Sequence, residues 1–165
     1  MKNHKLVELL SVQGWLIVTM ESCTGGALAS AISDVPGSSA VLMDSFITYS
    51  NKAKVELGVP QALIDEHTVY SVKVAGEMAK QAVRNSVATG QVIGVGITGS
   101  LTREDPNNPN SNPGTVYCSI LIYDKDKNQG RLSNYDMSVT TTDRKKGKQN
   151  IVEQVLKEIL NLISK

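Results

Sequence analysis

Apolar positions recur at three- and four-residue spacing in some stretches of the chain and run together or alternate in others, which divides it into helices and strands. Leu6, Val7, Leu9, Leu10 and Val12 predict a first helix ending near Gly14. Residues 15–19 read as a buried strand, and the small residues of 27–32 suit a helix lying close on a sheet. Pro36-Gly37-Ser38-Ser39 is a turn. Residues 41–49 are β-rich, Asn51 stands where a cap would open a helix through Lys54 and Leu57, and Pro60 opens a short helix to about His67. Ser71 caps a long helix to Ala88, with Val72, Ala75, Met78, Ala79, Ala82 and Val83 as its apolar stripe. Residues 91–98 and 115–123 are strands. The stretch between them, 99–114, holds three of the five prolines and four asparagines, so it reads as a loop. A turn over 124–130 leads to a third strand near 132–139, and Ile151, Val152, Val155, Leu156, Ile159, Leu160 and Ile163 face the core from a last helix.

This order implies a mixed sheet covered on both faces, a three-layer α/β/α sandwich of the α/β class. At 165 residues, without an internal repeat or long linker, the chain is expected to form a single domain over 1–165. Lys and Arg number 17 against 16 Asp and Glu, a net charge of +1, so no global field gathers nucleic acid or anionic membrane. The apolar runs are too short to span a bilayer and the N-terminus lacks a signal-peptide stretch, which predicts a cytoplasmic protein. Cys23 and Cys118 have no CxxC partner and no His cluster, so neither a metal site nor a disulfide framework is signalled and buried thiols are expected.

In an open α/β sheet, sites form beyond the carboxyl ends of strands. Glu21-Ser22-Cys23-Thr24-Gly25-Gly26 is one such turn; its glycines and the following helix N-terminus suit a phosphate, a carboxylate or an oxyanion. The competing reading makes Ser22 or Thr24 a helix cap. His4 and His67 offer no Ser-His-Asp triad, so a base must come from elsewhere. A lysine serves if burial makes its neutral amine available, and Lys54, one helical turn past the second strand, is the candidate, against the alternative of a solvated helix lysine. Neighbouring Lys52 has less reason to point inward. Ile97-Thr98-Gly99 reads as a second turn that presents Thr98 and the Gly99 amide to the same cleft, or as a plain strand terminator. Arg144 falls in a basic run opening the last helix, where cations oppose the macrodipole unless they meet an anion.

Taken together these residues resemble the C-terminal domain family of the competence-damage-inducible protein CinA, whose stand-alone members include nicotinamide-nucleotide amidase. Val18-Thr19-Met20-Glu21-Ser22-Cys23-Thr24-Gly25-Gly26 looks like the signature turn of that family. Phe46-Ile47-Thr48-Tyr49-Ser50-Asn51-Lys52-Ala53-Lys54 looks like its second block, and Leu57-Gly58-Val59-Pro60, Glu66-His67, Pro113-Gly114-Thr115-Val116 and Asp143-Arg144 continue the likeness in order.

The resemblance implies Ser22 as nucleophile and Lys54 as base. Around them it places a pocket with Tyr49, Asn51, Thr98 and Arg144, and the backbone amides near Thr24, Gly25 and Gly26 or at Gly99 are expected to hold the oxyanion. It further implies a small-molecule nucleotide substrate, no metal or other cofactor, and a possible homo-oligomer. The implied reaction converts nicotinamide mononucleotide to nicotinate mononucleotide and ammonia; the alternatives are a non-catalytic nucleotide-binding module or an amidase for another small amide. Three features depart from the family pattern. The stretch after Gly99 lacks the usual Gly-Ile-Ala-Gly-Pro run, Thr68 stands where a glycine usually follows the histidine, and Lys148 stands where arginine is common.

Overall fold

A computed structural model of the chain describes residues 1–109 and 111–164; Asn110, part of the expected 99–114 loop, lies outside the described residues. Among the described residues, five strands form one sheet in the order β2-β1-β3-β4-β5. They are β1 (Leu16–Glu21), β2 (Leu42–Ile47), β3 (Gln91–Ser100), β4 (Thr115–Asp124) and β5 (Gln129–Ser138). β1 pairs parallel with both β2 and β3, whereas β3–β4 and β4–β5 are antiparallel. Glu21 lies opposite Ile47 on one side and Ile97 on the other, so β1, β2 and β3 all point their carboxyl ends to the same edge.

The α-helices of the described residues cover the sheet: α1 (Lys2–Gln13), α2 (Ala27–Ser33), α3 (Asn51–Glu56), α4 (Gln61–His67), α5 (Val72–Asn85) and α6 (Arg144–Ile163). On one face Leu6, Leu10, Leu28, Ile32, Ile151 and Leu156 from α1, α2 and α6 pack with Ile17, Ile93, Val95 and Ile97 of the sheet. On the other, Ile64, Val74, Met78, Ala79 and Ala82 from α4 and α5 pack with Val18, Met20 and Val92. Alternation along β1 therefore sends Ile17 to the first layer and Val18 and Met20 to the second, the period-two signature of a strand buried on both faces. The three-layer α/β/α arrangement is as expected. Close contact of α5 with β3 depends on Gly96, since a Cβ there would stand 2.6 Å from the Ala79 backbone nitrogen.

Local signals explain most boundaries. Gly14 ends α1 in the left-handed conformation (φ 67°). Ser71 caps α5 by accepting from the Val74 amide, but the helix stops at Asn85, three residues short of the expected end, where Ser86 turns extended. Ser50, not Asn51, caps α3: its hydroxyl accepts from the Ala53 amide, and Asn51 becomes the first helical residue. The expected turn at 97–99 is absent as well. β3 runs through to Ser100, with Thr98 and Gly99 paired opposite Tyr117 and Val116, because the β-branched run of β4 extends the ladder past the point where loop chemistry begins. No helix among the described residues is long and apolar enough to cross a membrane.

Candidate active site

The carboxyl edge of β1, β2 and β3 opens into a cavity of about 550 Å³. Each neighbouring element delivers residues to it: Ser22 and Cys23 follow β1, Tyr49 and Asn51 follow β2, Gly99 and Ser100 end β3, and Arg144 opens α6 beyond β5. Gly99 is required by space, as a Cβ there would lie 2.6 Å from Val116 Cα.

Lys54 is 1% exposed and is the largest fully buried side chain of the described chain. The short helix α3 turns it inward beneath the 48–50 segment. Its Nζ donates to the Thr48 carbonyl at 2.8 Å, reaches the Tyr49 carbonyl at 3.5 Å, and lies 3.0 Å from Ser22 Oγ. Burial lowers its pKa from 10.5 to about 8, only partly opposed by negative charge nearby, Asp105 included. Nζ donates to Ser22 Oγ, whose hydroxyl in turn donates to the Tyr49 carbonyl at 3.5 Å; on loss of a proton from the ammonium, the amine lone pair is placed to accept from that hydroxyl. Lys52, by contrast, is exposed and pairs with Glu56.

Cys23 lines the same cavity beside Ser22. Burial pushes its thiol up to about 12, against the lowering pull of Arg144 and Lys54, so it is held as the neutral thiol. Cys23 and Cys118 are both free and buried.

The expected anion site at the start of α2 is already filled from within the chain. Glu21, fully buried, turns its carboxylate onto the helix N-terminus and accepts from the Leu28 and Ala29 amides, both at 3.0 Å. Thr24 Oγ1 donates to the same carboxylate at 2.7 Å and Thr19 Oγ1 at 3.3 Å. Thr24 is therefore a buried partner of Glu21, and Gly25 and Gly26 form the left-handed entry to α2 (φ 59° and 89°); none of the three is among the described residues lining the cavity. Thr98 is also turned away, donating to the Val69 carbonyl at 2.8 Å. Tyr49, Asn51, Gly99 and Arg144 do line the cavity, and Arg144 donates to the Tyr49 hydroxyl at 2.9 Å.

Sequence reasoning gave no role to Glu21 or to the loop after β3. An acidic residue ending a strand just before a glycine-led helix was the available signal for Glu21. The loop folds back over the cavity and contributes Arg103, Asp105 and Asn108 to its wall. Asp105 accepts from the Tyr70 hydroxyl at 2.8 Å and the Asn108 amide at 2.7 Å, and Asn51 donates to Asn108 Oδ1 at 2.7 Å. These bonds pin the loop to the start of α3 and to Tyr70, which precedes α5. No cluster of His, Cys, Asp or Glu suited to a metal ion occurs among the described residues.

A model of the CinA C-terminal domain matches residues 2–163. The chain belongs to the CinA C-terminal domain family. A putative competence-damage inducible protein of Symbiobacterium thermophilum is 44% identical over 114 residues, 68% of this chain and 26% of that protein. A CinA-like protein of Chlorobium luteolum is 45% identical over 98 residues, 59% of this chain and 23% of the relative. The chain thus spans about a quarter of the length of these CinA relatives. Among solved structures, the competence/damage inducible protein CihA of Agrobacterium tumefaciens superposes with a TM-score of 0.85 at 26% identity, covering 99% of this chain and 94% of that one. A CinA superfamily protein of Escherichia coli gives 0.81 at 26% identity, with 98% and 88% covered. Membership in the CinA family accounts for the mixed five-stranded sheet.

Proposed function

We propose that this domain hydrolyses the carboxamide of nicotinamide mononucleotide, releasing ammonia and nicotinate mononucleotide, with Ser22 as nucleophile and Lys54 as general base. The observation that carries this reading is the 3.0 Å contact between a serine hydroxyl at a cavity wall and a lysine whose burial favours the neutral amine. Lys54 takes the Ser22 proton as Oγ attacks the carboxamide carbon. The oxyanion is assigned to the backbone amide of Cys23, which lines the cavity beside the nucleophile and whose NH makes no hydrogen bond among the described residues. The Lys54 ammonium then returns its proton to the departing ammonia. A water, deprotonated by the regenerated amine, attacks the acyl-serine ester and frees the carboxylate. Arg144, on the cavity rim with Tyr49, is assigned the phosphate.

Ammonia release from nicotinamide mononucleotide, measured beside nicotinamide riboside, free nicotinamide and an aliphatic amide, tests the proposal. Turnover with the mononucleotide preferred supports it; no ammonia from the mononucleotide overturns it. Preference for a different amide would keep the serine–lysine chemistry and replace the substrate.

A further inference from the structure

The stretch after β3 brings two carboxylates, Asp105 and Glu104, to a cavity wall that also holds Arg103, Arg144 and Lys52. Of the two, Asp105 is the anchored one. Its own hydrogen bonds fix its place. Oδ2 accepts from the Tyr70 hydroxyl and from Asn108 Nδ2, and Oδ1 accepts from the Asn107 amide at 2.9 Å. A carboxylate offers about four acceptor positions, so one on Oδ1 is unused among the described residues. The Asn108 amide above all, with the Tyr70 hydroxyl and the Asn107 NH, holds the group below the usual carboxylate range, so it is charged near neutral pH.

A purely anionic ligand would meet Asp105 as a like charge. A ligand with an anionic end for Arg144 and a cationic ring for Asp105 satisfies both. The wall also contains the rings of Tyr49 and Tyr70, whose faces attract cations.

We propose that Asp105 is a specificity-determining residue, selecting an aromatic amide that carries a fixed positive charge on its ring over the same amide with a neutral ring. The inference rests on the amidase reading of the site and adds the charge that the substrate ring must bear.

The test measures binding by calorimetry in a Ser22→Ala background, which prevents turnover. The probes are nicotinamide mononucleotide, with its cationic ring, and its 1,4-dihydro form, with the same phosphate and a neutral ring. The cationic form is expected to bind about 5- to 10-fold more tightly. Asp105→Asn should bring the two affinities within about twofold, and Asp105→Glu should restore most of the difference. Tyr70→Phe removes a hydrogen bond from the loop but keeps the charge, so it should preserve the ratio. An unchanged ratio in Asp105→Asn, or an equal collapse in Tyr70→Phe, overturns the charge role of Asp105 while leaving the amidase reading intact. Failure of both probes to bind the Ser22→Ala protein overturns the amidase reading and this inference with it.

Discussion

Lys54 Nζ lies 3.0 Å from Ser22 Oγ, although 32 positions separate the two residues in the chain. The parallel pairing of β1 and β2 creates this contact. Ser22 is the first residue after β1, while α3 begins four residues beyond β2 and turns its fourth residue back under the same edge. Neither residue has that neighbour from local structure. A lysine placed there carries the desolvation that lowers its proton affinity, and the carbonyls of Thr48 and Tyr49 keep the amine aimed.

The pH profile should follow the neutral fraction of Lys54. Burial lowers its pKa to about 8, so below that pH the ammonium predominates and cannot accept the Ser22 proton. With chemistry rate-limiting, kcat/KM is expected to rise about tenfold per pH unit on the acid side and to level off above about 8. A flat profile through that region contradicts Lys54 as the base.

Arg144 opens α6, where the helix macrodipole disfavours a cation, and it lines the cavity in contact with Tyr49. Its planar fork suits a phosphate. Arg144→Ala should raise KM for a mononucleotide far more than for the matching nucleoside, with about 1.5 to 3 kcal/mol at stake. Equal losses for both ligands, read from steady-state kinetics, would remove Arg144 from the phosphate site.

Glu21 is a folding residue placed directly beside the nucleophile. Glu21→Ala leaves the Leu28 and Ala29 amides and the Thr24 hydroxyl without their acceptor in a buried place. Destabilisation of about 2 to 4 kcal/mol is expected in urea unfolding, because orphaned buried donors lose solvation as well as their bonds. A change under about 0.5 kcal/mol would mean that water replaces the carboxylate at no cost.

Thr68 occupies φ 61°, ψ 168°, a region that favours glycine and strains a β-branched residue. Strain relief of about 1 to 3 kcal/mol exceeds the added chain entropy of glycine and the loss of one exposed hydrogen bond from the Tyr70 amide. Thr68→Gly should therefore raise Tm by about 2 to 4 °C in calorimetry. A lower Tm would show that the Thr68 side chain secures the junction before α5.

Much of the fold was legible because its signals are periodic and local. The stripe of α5, the small residues of α2 and the left-handed glycine closing α1 each announce an element from within one segment. The site was legible in part, through strand-end turns and family likeness. Lys54 shows the limit: its spacing is that of a solvated helix lysine, and only the return of α3 under β2 buries it. Thr98 failed for a similar reason, since whether β3 ended at 97 depended on how far β4 extended beside it. Asp105 was hidden by a Pro- and Asn-rich stretch whose composition specifies turns without saying onto which surface they fold. Glu21 was readable as part of a motif but not as the internal anion of α2, because the partner amides lie seven and eight residues downstream.

The most direct measurement is a double-mutant cycle on ammonia release from nicotinamide mononucleotide, using Ser22→Ala, Lys54→Ala and the double variant, with folding of each checked by circular dichroism. Residues that act as one nucleophile–base unit have non-additive effects. Each single variant should lose at least about 1,000-fold in kcat, and the double variant should be no worse than the weaker single one. Wild-type-like turnover in either single variant, or losses that multiply in the double, would contradict a serine activated by Lys54.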